Sequence, residues 1–376
     1  MKHVLVIAFT SLAISTTLPP NTNPLTDDAT RIRRDQWHLR YLKTAEAQSI
    51  SQGEGVVVAL PDTGVSPHPD LASNLLPGID LTAGEGNGQQ DQNGHGTGMA
   101  GLIAAHGKGH EGALGIAPKS RILPINVSPQ GESNADLMAA GIEFATKHGA
   151  QIVCISSGGP TNDHLRAAVR TALQADVVII AAAGNTPDDS GVLYPAADKG
   201  VLAVGGIGQD GAHAPTSVSG PEVDVVAPAV DIYSTSINGR YRKGTGTSDA
   251  TAIVAGAAAL VRSKYPYLPA AEVVHRLTAT AVDKGPPGRD DEYGYGVIDL
   301  VAALTADVPP LGFEGATATP PSGATSAAAQ PAGADGDGGS TVRGWVTLGV
   351  IVAAGGGFLV WRRRRRADDP PPRISR

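Results

Sequence analysis

The chain has 376 residues, which is enough for one large domain or two small ones with terminal extensions. Charged residues make up 17% of it and the formal net charge is −7, so the composition gives no indication of nucleic-acid binding. A single cysteine, Cys154, excludes an intrachain disulfide, and its apolar surroundings predict a buried core residue.

The amino end has the pattern of a secretory signal peptide, which we predict over residues 1–18. Lys2 precedes an apolar run, Val4 to Ile14, and a small-residue cleavage site follows. Residues 19–35 are predicted to form an amino-terminal arm, polar and irregular as far as Thr30. Because so short a segment seldom folds alone, we expect the arm to stay on the mature protein.

The carboxy end has the pattern of a single membrane span, which we predict over residues 343–362. Trp345 to Trp361 carries no charge and would measure about 26 Å as a helix, close to the ~30 Å hydrocarbon core of a bilayer. The arginines at 362–366 predict that the tail, residues 363–376, is cytoplasmic and that everything before the span lies outside. Residues 306–342 contain few bulky side chains and are predicted to form a flexible stalk.

Residues 36–305 are predicted to form one α/β domain. Short apolar runs alternate with segments of helical periodicity, which indicates a parallel sheet covered on both faces. The predicted strands are Val56–Leu60, Arg121–Val127, Ile152–Ser156, Val177–Ala182, Val201–Gly205 and Val223–Ala227. The predicted helices are Arg31–Gln48, Gly98–Ala105, Ala135–Lys147 capped by Asn134, His164–Gln174 capped by Asp163, a helix after Ser248 through the apolar run Ile253–Val261, and a last one, Ala270–Val282.

Three polar residues, each in its own structured context, indicate nucleophilic catalysis. Asp62 follows an apolar strand, and the carboxyl ends of parallel strands are where such sheets bind ligands. His95 lies in a glycine-rich turn before a helix, and Ser248 ends the glycine-rich turn Gly244–Gly246. A serine needs a base to take its proton, and a carboxylate can hold that base in the required tautomer. Ser248 alone would also suit a helix cap, but the three contexts together predict a catalytic triad.

A candidate oxyanion donor follows the strand Val177–Ala182. Asn185 ends the sequence Ala183-Gly184-Asn185, so its side-chain amide and the backbone N–H of Ser248 could together stabilise a tetrahedral oxyanion. Taken alone, Asn185 is equally typical of a turn.

Four sequence blocks resemble those of subtilisin-like (subtilase, family S8) serine proteases. They are Asp62-Thr63-Gly64, Asn93-Gly94-His95-Gly96-Thr97, Ala183-Gly184-Asn185 and Gly246-Thr247-Ser248. The resemblance implies a seven-stranded parallel sheet with helices on both faces, and peptide-bond hydrolysis. It matches Asp62, His95 and Ser248 to the triad and Asn185 to the oxyanion donor, and it makes Ser156, Ser157 and Gly158 the candidate substrate-binding residues.

Further blocks are similar to those of the mycosins, membrane-anchored subtilases that accompany type VII secretion. These are Gln36-Trp37-His38-Leu39 and Leu114-Gly115-Ile116-Ala117-Pro118, together with the signal peptide, the stalk and the membrane span. The resemblance implies a cell-membrane protein with its catalytic domain outside. Its expected partners are secreted protein or peptide substrates and a type VII secretion membrane complex.

The chain departs from the family pattern in several places. Ser156-Ser157-Gly158 stands where Ser-Leu-Gly is typical, which leaves specificity open. Asp249 stands after the serine where an apolar residue is usual. It could restrain catalysis by repelling the oxyanion, or point away and be neutralised by a buried partner or a proton. No metal-ligand cluster or cofactor motif is present, and structural calcium is left open.

Two other functions compete with that of a serine protease. Aspartic proteases also carry Asp-Thr-Gly but need two carboxylates in one site, and this chain has a single such triplet. The alternative that stays open is a structural scaffold of the secretion complex, in which proteolysis is secondary.

Overall fold

The computed structural model describes residues 24–312, with side chains from residue 29. The strands are β1 Val57–Asp62, β2 Ile79–Asp80, β3 His106–Lys108, β4 Glu111–Leu114, β5 Arg121–Asn126, β6 Ile152–Ile155, β7 Val178–Ala182, β8 Leu202–Ile207, β9 Val225–Pro228, β10 Ile232–Thr235 and β11 Tyr241–Gly244. Seven of them form a parallel sheet in the order β2-β5-β1-β6-β7-β8-β9. β3 with β4 and β10 with β11 form antiparallel hairpins outside it.

Helices cover both faces of the sheet. They are α1 Pro24–Asp35, α2 Trp37–Tyr41, α3 Thr44–Ile50, α4 His95–Ala104, α5 Ala135–Lys147, α6 Asp163–Gln174, α7 Thr247–Lys264, α8 Ala270–Ala279 and α9 Leu300–Thr305. Strand side chains alternate between two cores: Val58 and Cys154 pack with α4 and α7, whereas Ala59 and Val153 pack with α5 and α6. The α/β prediction is confirmed, and Cys154 is buried as expected.

The strand predictions succeed because each central strand is an apolar run buried on both faces. Six strands lie within a few residues of their predicted positions. β2 was not predicted, since a two-residue strand leaves no periodic pattern. The hairpins were not predicted either, because their polar strands, such as Tyr241–Gly244, do not read as apolar runs.

The amino-terminal predictions are partly wrong. Residues 24–30 belong to α1 rather than to an irregular segment, and the expected helix Arg31–Gln48 is three helices. Lys43 has a φ of 50°, in the left-handed region that stops helix propagation, and it separates α2 from α3. Ile32 of α1 is buried beside the β3–β4 hairpin, so tertiary packing extends the helix beyond the sequence signal.

One helix cap is confirmed and one is wrong. Asn134 Oδ1 accepts the backbone N–H groups of Asp136 and Leu137, as a cap does. The cap of α6 is Asn162, which accepts the N–H of Leu165, and Asp163 is the first helical residue. The helix expected to end at Val282 ends at Ala279, and α9 follows it.

The predicted signal peptide (1–18), membrane span (343–362) and cytoplasmic tail (363–376) lie outside the described residues. Within the described part, no helix is long and apolar enough to cross a membrane. Of the predicted stalk, 306–312 is described, and it runs along α8. Arg276 Nη1 donates to Ala306 O at 2.9 Å, and Leu311 N donates to Glu272 Oε1 at 2.9 Å.

Candidate active site

Asp62 is the last residue of β1 and is buried at the carboxyl edge of the sheet. Its Oδ1 accepts hydrogen bonds from His95 Nδ1–H at 2.8 Å and from Thr63 N–H at 2.7 Å. Its Oδ2 accepts one from Ser156 Oγ–H at 2.5 Å. Burial opposes ionisation of Asp62, but the His95 charge and these hydrogen bonds outweigh it and hold the pKa of Asp62 below its ordinary value. The carboxylate is therefore ionised at neutral pH and fixed toward His95.

His95 is the first residue of α4, and a glycine turn sets its position. Gly94 has a φ of 92°, which strains any other residue, and Gly96 lies too close to the carbonyl oxygen of Gly64 to accommodate a Cβ. Asp62 raises the pKa of His95, burial lowers it, and the net result lies above the ordinary value. In neutral His95 the single ring proton lies on Nδ1, where it is hydrogen-bonded to Asp62. Nε2 therefore carries no proton and can accept one.

Asp91 holds the loops that carry Asp62 and His95. Its Oδ1 accepts hydrogen bonds from Thr63 Oγ1 at 2.9 Å and from the N–H groups of Asn93 and Gly94. Its Oδ2 accepts Thr97 N–H at 3.0 Å and Thr97 Oγ1–H at 2.6 Å. Sequence reasoning gave Asp91 no role, although an aspartate before a turn and a helix is typical of a cap.

Ser248 is the second residue of α7, and the contacts of the residues on either side of it, Thr247 and Asp249, indicate its surroundings. Thr247 donates its backbone N–H to Asn185 Oδ1 at 2.9 Å, and the Asp249 carboxylate acts on the charge of His95. Ser248 thus stands between a residue bonded to Asn185 and a residue whose charge acts on His95, at a helix end whose N–H groups and dipole favour an anion. Within the side chains described, no hydrogen bond joins Ser248 Oγ to His95. Catalytic hydrogen bonds often tighten only when substrate is bound.

Asn185 follows β7, and hydrogen bonds to two of its atoms fix its position. Its Oδ1 accepts from Thr247, and its backbone N–H donates to Asp189 Oδ2 at 2.7 Å. With Oδ1 occupied in this way, the Nδ2 group is the part of the amide left to donate toward the cleft. A free Nδ2 group is one requirement of the predicted oxyanion role of Asn185.

A cleft of about 320 Å³ lies along this edge of the sheet. Its lining includes Asp62, His95, Asn185, Ser156, Ser157 and Gly158, but not Ser248 itself. The Ser156 hydroxyl is bonded to Asp62. Of the three predicted substrate-binding residues, Ser157 and Gly158 are therefore the two left to contact a substrate. Leu193 also lines the cleft: a Cβ on Gly158 would lie 2.5 Å from Leu193 Cβ. The wall opposite Gly158 is therefore formed by an apolar side chain.

Among the described side chains, no three or more His, Cys, Asp or Glu residues are grouped so that they could hold a metal ion.

Comparison with known proteins defines the class. Residues 53–296 match the model of the Subtilase family, Peptidase S8. The chain therefore belongs to the subtilase family and is a subtilisin-like serine endopeptidase, as its sequence blocks predict.

The relatives include both mycosins and secreted subtilisins. The chain is 35% identical over 333 residues to Mycosin-1 of Mycobacterium tuberculosis, covering 73% of this chain and 74% of that protein. It is 38% identical over 258 residues to Subtilisin DY of Bacillus licheniformis, covering 67% and 92%. A solved structure of MycP1 from the ESX-1 type VII secretion system superimposes with a TM-score of 0.66 at 32% identity, covering 78% of this chain and 89% of that one. The predicted similarity to mycosins is confirmed.

Proposed function

We propose that this protein is a membrane-anchored serine endopeptidase that uses Asp62, His95 and Ser248 to cleave secreted proteins in association with a type VII secretion complex. The observation that carries the catalytic part is the buried, ionised Asp62 bonded at 2.8 Å to His95, on whose charge the residue after Ser248 also acts. Similarity to the mycosins supports the association with secretion.

The first half of the reaction forms an acyl-enzyme. His95 Nε2 takes the proton of Ser248 Oγ while that oxygen attacks the carbonyl carbon of the substrate. Asp62 keeps the imidazole in the reactive tautomer and stabilises the imidazolium that forms. The hydrogen bond from Ser156 holds Asp62 in place during this step.

Charge that develops on the substrate oxygen is stabilised by two donors. Asn185 Nδ2 is available because Thr247 holds the other end of the amide, and the Ser248 N–H belongs to the free amino end of α7. His95 then gives its proton to the leaving amine. Water attacks the acyl-enzyme with His95 again acting as base, and Ser248 is regenerated.

The proposed location rests on the sequence patterns at the two ends. A signal peptide at 1–18 and a span at 343–362 would place residues 36–305 outside the cell on the stalk 306–342, with the tail 363–376 in the cytoplasm. Membrane fractionation of the full chain and of a chain ended after residue 342 checks this. We expect the full chain in the carbonate-resistant membrane fraction and the shorter chain in the medium. The same fraction for both would contradict anchoring by this segment.

Proteolysis and scaffolding are separated by comparing secreted proteins from three strains by mass spectrometry. These carry a deletion of the gene, Ser248→Ala, or Ser263→Ala as a control, since Ser263 lies at the far end of α7 and bonds Glu54 O. We expect Ser248→Ala to lose specific cleavages that Ser263→Ala retains. If Ser248→Ala leaves every cleavage intact while the deletion stops secretion, the scaffold function is the correct one.

A further inference from the structure

Asp249, directly after Ser248, is buried and faces an arginine. Only 1% of the residue is exposed. Arg242 Nη2 lies 3.4 Å from each of its carboxylate oxygens. Of the two sequence interpretations, the structure therefore favours the buried partner. An isolated buried charge is very unfavourable, so Asp249 needs a counter-charge that is held in place, and Arg242 supplies it.

Arg242 is fixed between the two helices that carry His95 and Ser248. A Cβ on Gly98 of α4 would collide with Arg242 Nη1, and a Cβ on Gly244, in the turn before Ser248, would collide with Nη2. The Arg242 guanidinium thus fits only because Gly98 and Gly244 have no side chains. Its Nη1 is buried and has no hydrogen-bond partner among the described residues, so Asp249 is its principal counter-charge.

The hairpin that carries Arg242 is itself bonded to α4. Ser234 and Thr235 of β10 donate their hydroxyl groups to the carbonyl oxygens of Gly98 and Thr97, each at 2.7 Å. Arg242 stands opposite Ser234 in the β10–β11 register. The hairpin, α4 and the start of α7 are therefore joined behind the catalytic residues.

We propose that Arg242 and Asp249 are a positioning pair, which joins the helices of His95 and Ser248 and balances the charge beside His95. This inference rests on the proposed function of those two residues. The charged groups that face His95 are Asp62 from β1, Arg242 from β11 and Asp249 from α7. Arg242 lowers the pKa of His95 and Asp249 raises it, so the pair acts on the imidazole as two opposed charges.

The direction in which each substitution moves the pKa of His95 follows from these two opposed charges. Asp249→Asn keeps the side-chain shape but leaves Arg242 unopposed, so the pKa of His95 falls. The double variant Arg242→Gln/Asp249→Asn removes both charges and returns the pKa of His95 toward that of the wild type. Burial raises the pKa of Asp249 itself, against the opposing effect of Arg242, so the shift applies where Asp249 is ionised, above that raised pKa. There, at separations of ~6–8 Å and an effective dielectric of about 40, Asp249→Asn lowers the pKa of His95 by about 0.7–1 pH unit.

The test is the rate at which a fluorophosphonate labels Ser248 as a function of pH. The Ser248 oxygen forms a bond to phosphorus, fluoride leaves, and His95 takes the serine proton, so the acid limb reports the pKa of His95. We expect Asp249→Asn to move that limb to lower pH and the double variant to restore it. As a control, Asp176→Asn disturbs the Arg262–Asp176 pair at the other end of α7, 3.1 Å apart, and should leave the limb in place.

An unchanged limb in folded Asp249→Asn, or a double variant that stays displaced like the single one, would overturn the proposal. The ¹³C NMR titration of His95 in a Ser248→Ala background gives the same pKa without any reaction. If the wild type is not labelled at all, the proposed function fails, whereas the NMR shift still decides whether the pair acts on His95.

Discussion

Asp62 shows how single residues determine the chemistry of this site. It is buried, which favours the neutral acid, yet hydrogen bonds from His95, Ser156 and Thr63 keep it ionised. A group whose pKa is lower in the folded than in the unfolded state stabilises the fold above its unfolded pKa. That stability is lost as the pH falls through the folded pKa.

Ser156→Ala tests the support of Asp62. Since hydrogen bonds to charged groups contribute about 1.5–3 kcal/mol, we expect a loss of that size in the free energy of unfolding at pH 7. The loss should shrink as the pH falls through the pKa of folded Asp62, which lies below its ordinary value, because the carboxyl is then protonated. Urea unfolding across this pH range is the measurement. Ser120→Ala is the control, because the buried Ser120 donates to a neutral carbonyl, that of Ala117. Equal pH dependence of both variants would contradict the account.

Asn185→Ala tests the oxyanion donor. Removing one such donor typically costs about 10²–10³ in rate, so we expect fluorophosphonate labelling of Ser248 to slow by that factor while thermal stability changes little. Asn162→Ala is the matched control, since Asn162 caps α6. It should lower stability by about 1 kcal/mol and leave the labelling rate unchanged. A labelling rate in Asn185→Ala within twofold of the wild type would rule out the assigned role.

Leu193→Ala tests which substrates fit the cleft. Leu193 contacts the space beside Gly158 and leaves less room for a substrate side chain there. Cleavage of a peptide library by the variant should shift toward larger apolar residues, by about tenfold for one or two added methylenes. The same preference in the wild type and the variant would show that Leu193 does not limit the cleft.

At the scale of secondary-structure elements, the site depends on the amino ends of α4 and α7 and on the arm that packs beside them. Trp37 Nε1 of α2 donates to Val230 O at 3.0 Å, and Gln36 Nε2 donates to Leu114 O at 3.0 Å and Tyr233 O at 3.2 Å. These bonds fasten the residues directly after the arm to both hairpins, and Arg33 Nε of the arm itself donates to Gly112 O at 3.0 Å. Amino-terminal sequencing of the active protein should therefore find the arm present, and a start near Gly53 would contradict this.

His38 of α2, shortly after the arm, makes the fold sensitive to acid. It is fully buried, neither ring nitrogen has a hydrogen-bond partner in the described structure, and burial together with Arg40 lowers its pKa to about 3. Because unfolded histidine binds a proton near pH 6.5, the wild type should lose about 1.5 kcal/mol more than His38→Gln between pH 6.5 and 5. The measurement is chemical unfolding at both pH values. His148→Gln, at an exposed site, is the control, and an equal loss in the wild type and His38→Gln would refute the prediction.

Features set by neighbouring residues could be predicted from the sequence, whereas contacts between residues far apart in the chain could not. Apolar runs mark buried strands locally, so the strand before Asp62 was located within two residues. A buried partner for Asp249 is one of the two sequence interpretations, but its identity as Arg242 could not be predicted, because the pair forms only when the β10–β11 hairpin folds onto α4. Likewise, Asn185 could be assigned as a donor from its sequence block, but Thr247, 62 residues away, is what holds its amide.

At the scale of the whole molecule, a subtilase domain is combined with end segments that predict secretion and anchoring. The proposed catalytic groups come from β1, α4, the loop after β7 and α7, which lie far apart in sequence. The central claim is that Asp62, His95 and Ser248 act as one unit.

The most direct test of that claim is the second-order rate of fluorophosphonate labelling, with the modified residue identified by peptide mass spectrometry. We predict modification at Ser248, a loss of at least ~10³-fold in His95→Ala, and no further loss when Asp62→Asn is added to it, because residues of one catalytic unit are not additive. Labelling at another serine, or a rate in His95→Ala equal to that of the wild type, would contradict the account.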